Sequence, residues 1–251
     1  MPLGALKPTT YQVELPFSLR WKGKVYAIAG LGVLLAAAVV LTAAVGSSRI
    51  PLGTVYGILL ERLPFINLSQ VWPAGVETIV LDIRLPRIML SGLVGASLAV
   101  AGATYQGLFR NPLADPYLIG VAQGAALGAV IGFLLPVGVG IGLGLIPLTS
   151  FLGAIVAVSA VYMLARVGKA LPVTTLILAG VAMGAFFASV TSYLMISSDD
   201  ALHGIISWLL GGFYLSNWTE VKMLLPYVII GVAVIITYAR PLNVMQLDEE
   251  I

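Results

Sequence analysis

The sequence predicts an all-α protein that crosses a membrane several times as a polytopic transmembrane helix bundle. Of its 251 residues, 59% are hydrophobic and only 10% are charged, and the mean hydropathy is +1.03. The charges are confined to short segments between long uncharged runs. Because a soluble domain carries charge on every exposed face, this composition fits lipid as the solvent.

A membrane-spanning helix needs about 20 apolar residues to cross a hydrocarbon core about 30 Å thick. The segment 204–219 is apolar but short and rich in glycine, so we expect a short re-entrant helix there. Together the runs predict about six transmembrane helices plus that short helix, in one transmembrane domain over 1–251. The expected spans are 26–46, 88–109, two spans within 117–165 divided by Pro136, Pro147 and the glycines between them, 170–198 and 223–239.

The distribution of Lys and Arg predicts the orientation. The densest basic cluster precedes the first span, and the cations expected on the opposite side are interleaved with acidic residues. Because basic segments are retained in the cytoplasm, we expect a multi-pass protein of the cell membrane with both termini inside.

Several classes of function are excluded by composition and motifs. A net charge of +2 provides no basic field for nucleic acid. His203 stands near Asp199 and Asp200, but three mixed ligands in a solvent loop are a weak metal site, and we predict no metal. The chain contains no GxxxxGK[ST] phosphate loop and no nucleophile paired with a base. It is therefore not predicted to be an enzyme.

Small residues recur every four positions in three of the predicted spans. Apolar side chains gain nothing by leaving lipid for one another, so membrane helices associate through the close packing that small residues permit. These stripes predict close packing of the second, third and fifth spans, although membrane helices are in any case rich in glycine. The packing glycines are Gly95 and Gly107, then Gly120, Gly124, Gly128 and Gly132, then Gly180 and Gly184.

Polar groups are sparse inside the spans. Gln106 lies in the second span, and Ser189 and Ser192 lie in the fifth. They could line a pathway, or they could form hydrogen bonds between helices. No acidic residue lies within a predicted span, which argues against a secondary transporter, because such carriers need charge compensation near the membrane midplane.

Arg84 and Arg87 stand three residues apart at the mouth of the second span, on either side of Pro86. Both side chains can point outward. They could interact with lipid headgroups, or they could bind the carboxylates of a partner in a bidentate manner.

The turn after the second span predicts a rigid connection between two helices. Its prolines end helices, and its Asn and Asp side chains can accept hydrogen bonds from neighbouring amides. The residues concerned are Asn111, Pro112, Asp115 and Pro116.

The fifth span opens with a proline and two small hydroxyl residues. The hydroxyls could cap the helix, or they could narrow a pore at the cytoplasmic face. The residues concerned are Pro172, Val173, Thr174 and Thr175.

In order and spacing, five segments resemble the FecCD-type permeases, the membrane subunits of ABC importers for ferric siderophores, haem and vitamin B12. The resemblance covers almost the whole chain. The segments that carry it are 83–87 (IRLPR), 102–106 (GATYQ), 111–116 (NPLADP) followed by Leu118 and Gly120, 178–182 (LAGVA) and 208–213 (WLLGGF).

The resemblance implies a homodimer with the substrate path between the two copies, lined in part by the fifth span. It implies two cytoplasmic ATPases that hold ATP and Mg²⁺, whereas this chain binds no cofactor. It also implies an extracytoplasmic binding protein whose acidic residues dock on Arg84 and Arg87. The cytoplasmic gate of the family falls at Val173 and Thr174, with Pro172 and Thr175 beside them.

Members of this family usually have ten spans, whereas this sequence stops at Ile251, so we expect a truncated form. Our interpretation is a permease subunit that imports an iron-siderophore, haem or corrinoid chelate by alternating access, driven by partner ATPases. The alternatives are a secondary transporter and a truncated fragment that acts as a membrane scaffold.

Overall fold

The computed structural model describes residues 17–62, 72–135, 142–168, 170–198, 201–213 and 216–247. These residues form helices joined by turns, and no strand longer than an isolated bridge occurs among them. The helices are α1 (Phe17–Ala44), α2 (Leu52–Glu61), α3 (Ala74–Thr78), a π-helix (Ile79–Arg84), α4 (Leu85–Phe109), a 3₁₀ turn (Pro116–Ile119), α5 (Val121–Leu134), α6 (Gly142–Ala165), α7 (Val173–Ile196), α8 (Leu202–Leu210), α9 (Trp218–Thr237) and α10 (Ala239–Leu247).

The predicted all-α membrane bundle is confirmed. Five helical stretches among the described residues are long and apolar enough to cross a membrane. They are Lys22–Ala44, Ala74–Phe109, Gly144–Ala165, Val173–Ile196 and Trp218–Thr237. The segment predicted as the third span differs, because Gly120 interrupts it in a left-handed conformation (φ 72°) and the α-helix that follows has 14 residues.

Two prolines lie inside helical stretches that begin earlier in the chain than the sequence predicts. The second span was predicted from residue 88, but α3, the π-helix and α4 follow one another directly from Ala74. Pro86 lies in the first turn of α4, where its missing N–H is tolerated after the wider π turn. Pro147 lies inside α6 rather than before it, since neighbouring helices can satisfy the freed carbonyl in a membrane.

The described part of the first compact unit, which ends at Ile88, has its own apolar core. Residues from the end of α1, from α2 and from the π-helix meet there. Arg62 and Glu77 form an ion pair of 2.9 Å between α2 and α3, and Gly57 leaves room for the Trp72 ring. The buried residues are Ala43, Ala44, Ile50, Val55, Ile58 and Val80.

The second compact unit begins at Met89, and α5, α6 and α7 pack against one another in it. One apolar cluster joins the 3₁₀ turn, the end of α6 and the start of α7 through Ile119, Val161, Ala165 and Leu176. Tyr105 and Phe109 at the end of α4 pack against the same cluster. The chain segments on either side of the 110–120 turn therefore share a core.

Candidate functional site

Arg84 occupies the end of the π-helix and caps α1. Its Nη1 donates to the Ala43 carbonyl at 2.6 Å, and its Nη2 donates to the Ser48 carbonyl and to Ser48 Oγ. The last carbonyls of a helix have no partner within the helix, and they carry the negative end of its dipole. A guanidinium is well suited to this place because its donors form a planar fork.

Gly46 makes room for this arrangement. A Cβ at position 46 would lie 2.7 Å from Arg84 Nη2 and 2.9 Å from Cζ. The guanidinium therefore lies directly over the backbone of Gly46, and Arg84 is only 9% exposed. Arg84 does not point outward in this structure, because its guanidinium binds carbonyls at the end of α1 and just beyond it. We refer to Arg84, Ala43, Gly46 and Ser48 as the Arg84 clamp.

Arg87 lies one turn further along, on the same side of the helix, since residues three apart share a helix face. It is half-buried, and Pro86 between the two arginines is fully buried. Docking of a partner on this pair stays a prediction.

The predicted turn between α4 and α5 is built by its own side chains. Asn111 Oδ1 accepts from the Leu113 amide at 2.9 Å, and Asp115 Oδ1 accepts from the Tyr117 amide at 2.8 Å. Asp115 is thereby the N-cap of the 3₁₀ turn, and Pro116 occupies its first position. Both prolines, Pro112 and Pro116, follow a residue whose side chain bonds two positions ahead, so the chain path is specified locally.

Gly120 brings the end of this turn onto α7. Its φ of 72° favours glycine, and a Cβ there would lie 3.3 Å from the Gly180 carbonyl and 3.5 Å from the Gly184 amide nitrogen. Gly180 and Gly184 are buried on α7. The turn at 110–120 is thus seated on α7, the helix predicted to line the path.

The predicted gate residues open α7. Pro172 is its N-cap, and no side chain of a described residue bonds to this cap, so Thr174 and Thr175 do not cap the helix. Leu176 is buried in the apolar cluster with Ile119, Val161 and Ala165, and it anchors the first turn of α7. Val173 is 44% exposed and Thr174 is exposed as well, so the residues before the anchor face away from the bundle.

The two faces of α7 differ in burial. Leu176, Gly180, Gly184, Phe187 and Thr191 form the buried stripe. Ser189 and Ser192 lie on the exposed face, and their hydroxyls donate to carbonyls one turn earlier in α7. The two serines therefore form their hydrogen bonds within α7 and not between helices, and pathway lining stays a prediction. Gln106 is also exposed, near the end of α4.

The packing glycines have different surroundings. Gly124, Gly128 and Gly132 lie against α6, where added Cβ atoms would collide with Ala157, Gly153 and Thr149. A Cβ at Gly95 would meet no atom of the described residues within 4 Å, and Gly107 is half-buried. Sequence reasoning missed Gly153 of α6, although its spacing of four from Thr149 and Ala157 was a usable signal.

Among the residues that the structure describes, no group of three or more His, Cys, Asp or Glu could hold a metal ion. His203 lies in the first turn of α8 and is exposed. Asp199 and Asp200 lie outside the described residues.

Comparison with known proteins identifies a family. A model of the FecCD transport family matches residues 33–251. The cobalamin import system permease protein BtuC of Halobacterium salinarum is 38% identical over 252 residues, which cover 88% of this chain and 68% of that protein. The Fe(3+) dicitrate transport system permease protein FecD of Escherichia coli is 35% identical over 193 residues, covering 74% and 58%. The hemin transport system permease protein HmuU of Yersinia pestis is 36% identical over 177 residues, covering 68% and 52%.

A solved structure described as an inward-facing conformation of a metal-chelate type ABC transporter matches with a TM-score of 0.70 and 26% identity, over 90% of this chain and 66% of that one. The chain thus spans 52 to 68% of the length of the relatives named here. The match of the family model over most of the chain confirms the resemblance carried by the five sequence segments, and the chain belongs to the FecCD transport family.

Proposed function

We propose that this chain is a membrane permease subunit of an ABC importer that moves iron-siderophore, haem or corrinoid chelates into the cytoplasm. The observation that carries the proposal is the family match over residues 33–251. Relatives named for import of cobalamin, ferric dicitrate and hemin support the substrate class. Their common feature is a chelated metal in an organic framework, which a mostly apolar, hydroxyl-bearing path can accommodate.

The path lies between two copies of the chain, along the exposed face of α7. This face carries Ser189 and Ser192, whose hydroxyls are already bonded within the helix. It offers weak polar contacts and no charge, so a bulky ligand would pass without being held tightly. The opposite stripe of α7 is buried against its own bundle, which leaves this face for the second copy.

The cytoplasmic gate is formed by Pro172, Val173, Thr174 and Thr175 from each copy. Val173 and Thr174 are exposed before the buried anchor Leu176. Two such turns meeting across a symmetric dimer axis would close a path with small side chains. The neighbouring turn at 110–120 rests on α7 through Gly120, so a change transmitted to this turn would reach the gate helix.

In the proposed orientation the N-terminus lies in the cytoplasm and the Arg84 clamp lies on the opposite side of the membrane. An extracytoplasmic substrate-binding protein docks at this surface, where Arg84 ends the π-helix and Arg87 lies in the first turn of α4. Arginine is suited to such docking because it recognises carboxylates in a bidentate manner.

Energy comes from a pair of cytoplasmic ATPases that bind ATP and Mg²⁺. The sequence of this chain contains no GxxxxGK[ST] loop, which is the motif that cradles nucleotide phosphates in such enzymes. No cofactor is assigned to the permease itself.

Uptake into proteoliposomes tests the proposal. The permease, its co-purifying ATPase and its binding protein would be reconstituted together, and uptake of labelled ferric siderophore, hemin and cobalamin would be measured. We expect uptake of one chelate class that requires ATP and is unaffected by a protonophore. Uptake that survives ATP depletion and collapses with the proton gradient would instead support a secondary transporter.

A further inference from the structure

We infer that Arg110 and Arg166 form a cationic mouth beside the gate, and that this mouth selects metal chelates with net negative charge, such as those that carry free carboxylates. The inference rests on the proposed function and names a substrate class within it. The relatives are named for chelates that differ in charge, so family membership leaves this choice open.

The two arginines of the cationic mouth adjoin one buried cluster. Arg110 directly follows Phe109, which packs against the cluster that contains Ala165 and Leu176. Arg166 directly follows Ala165. Leu176 lies in the first turn of α7, which is the proposed gate helix. Both arginines are exposed, so their charges surround the same end of the bundle as the gate residues.

The backbone directs each arginine of the mouth. Arg110 has a φ of 49° and ends α4 in the left-handed conformation that turns the chain away from a helix axis. Arg166 Nε donates to the Gly168 carbonyl at 2.9 Å. The turn that contains this bond is closed by backbone bonds of 3.0 and 3.1 Å between Val167 and Ala170. Both charges are therefore held next to the gate.

The charge around the gate is positive. The connecting segments 110–120 and 166–172 contain three cations, Arg110, Arg166 and Lys169, and one acid, Asp115. Three minus one gives a net charge of +2 in each copy. Asp115 Oδ1 already accepts from the Tyr117 amide. The start of α7 adds positive potential, because it is the positive end of a helix of 24 residues.

This charge matters because the proposed path along α7 offers hydroxyls and no charge. An anion in such a path loses hydration without compensation. Cations at the inner end attract it, and low-dielectric walls concentrate their field. Rings of Arg or Lys serve the same purpose in pores that select anions. A symmetric dimer would bring the cationic mouths of both copies to the gate.

The experiment uses the permease reconstituted with its co-purifying ATPase and binding protein. Initial ATP-driven uptake is measured for hemin and ferric citrate, which carry free carboxylates, and for cyanocobalamin, which has no net charge. The salt concentration inside the vesicles, where the gate opens, is set independently of the concentration outside. The variants are Arg110→Gly, Arg110→Lys, Arg166→Gln and Arg166→Lys.

Three of these variants separate charge from structure. Arg110→Gly removes the charge at a φ that favours glycine, so misfolding does not explain a loss. Arg110→Lys and Arg166→Lys keep the charge, and Arg166→Lys removes the Nε bond to Gly168. Arg240→Gln is the matched control, since Arg240 is an exposed arginine of α10, which contacts α9.

We expect uptake of a carboxylate-bearing chelate and slower uptake of cyanocobalamin. Arg110→Gly and Arg166→Gln should each lower the rate for that chelate by about threefold to tenfold, and high salt inside the vesicles should lower the unaltered rate by a similar factor. The two lysine variants should keep most of the rate. Arg240→Gln should change it by less than twofold.

Uptake of cyanocobalamin alone would overturn the inference and leave the proposed function intact. The inference also fails if the arginine variants retain the full rate, if the lysine variants lose as much as the neutral ones, or if Arg240→Gln loses as much as Arg110→Gly. No uptake of any chelate by the unaltered assembly would overturn the proposed function, and the selectivity with it.

Discussion

Gly153 of α6 and Gly128 of α5 pack backbone against backbone, so closely that a Cβ on Gly153 would lie 2.9 Å from the Cα of Gly128. Such an approach brings peptide groups of two helices into direct contact and replaces the hydrophobic driving force that lipid removes. It also makes the contact intolerant of any added atom.

Gly153→Ala should therefore destabilise the α5–α6 pair by about 1–3 kcal/mol through overpacking. Thermal unfolding of the purified protein in detergent measures the change. Gly95→Ala is the matched control, because a Cβ at Gly95 has no described atom within 4 Å. Equal melting temperatures for the two variants would contradict the contact.

Gly120→Ala should be destabilising for two reasons that can be separated. The left-handed backbone costs about 1–2 kcal/mol for a residue with a Cβ, and the new methyl group would crowd the Gly180 carbonyl at 3.3 Å. Gly168→Ala shares the first cause (φ 63°) but has open space around its Cβ among the described residues. The excess loss of stability in Gly120→Ala over Gly168→Ala reports the contact with α7.

Asp115→Ala should remove the cap of the 3₁₀ turn and cost about 1 kcal/mol. Asp115→Asn keeps an acceptor for the Tyr117 amide and should retain most of the stability. Chemical denaturation of both variants measures the difference. A loss in Asp115→Asn equal to that in Asp115→Ala would show that the charge, and not the hydrogen bond, is what matters.

Val173→Cys should form a disulfide between two copies of the chain if the gate lies on a dimer axis. The sequence contains no cysteine, so any cross-link joins the introduced residues. Non-reducing electrophoresis after mild oxidation detects it, and reduction should restore uptake. Met163→Cys is the control, since Met163 is 73% exposed on α6, a helix to which the proposal assigns no part of the dimer contact; a stronger cross-link there would contradict the arrangement.

Arg87→Gln should weaken association of the binding protein by about threefold to tenfold at low ionic strength, because opposite charges steer docking. The effect should shrink at high salt, where the screening length is short. Surface binding kinetics with the permease in nanodiscs measures both conditions. An affinity that is unchanged at low salt would remove Arg87 from the docking surface.

Much of the bundle was predictable because lipid imposes simple rules on length and composition. Apolar runs of sufficient length predicted α1, α4, α6, α7 and α9 near their observed positions. The exception is the predicted third span, which Gly120 interrupts. Gly120 lies inside an apolar run, and hydropathy does not reveal its left-handed backbone. Helix boundaries at Pro86 and Pro147 were misplaced for a related reason: a membrane helix tolerates proline where its neighbours or a π turn accommodate the missing donor.

The contacts within the site were less predictable than the elements. Glycine spacing indicated which face of α5 would be in close contact, but spacing on one helix cannot identify the partner, and that partner includes Gly153 of α6. The sequence gives no reason to expect different surroundings for Arg84 and Arg87, which lie on either side of Pro86. Only the arrangement of α1 beside the π-helix shows that Arg84 meets the Ala43 carbonyl, a contact between residues 41 positions apart.

The glycine contact between α5 and α6 has a mechanical consequence. Two helices whose backbones touch cannot slide or twist past each other without collision, because packed interiors are resistant to continuous deformation. In a transport cycle the two helices would therefore move together as one stiff unit.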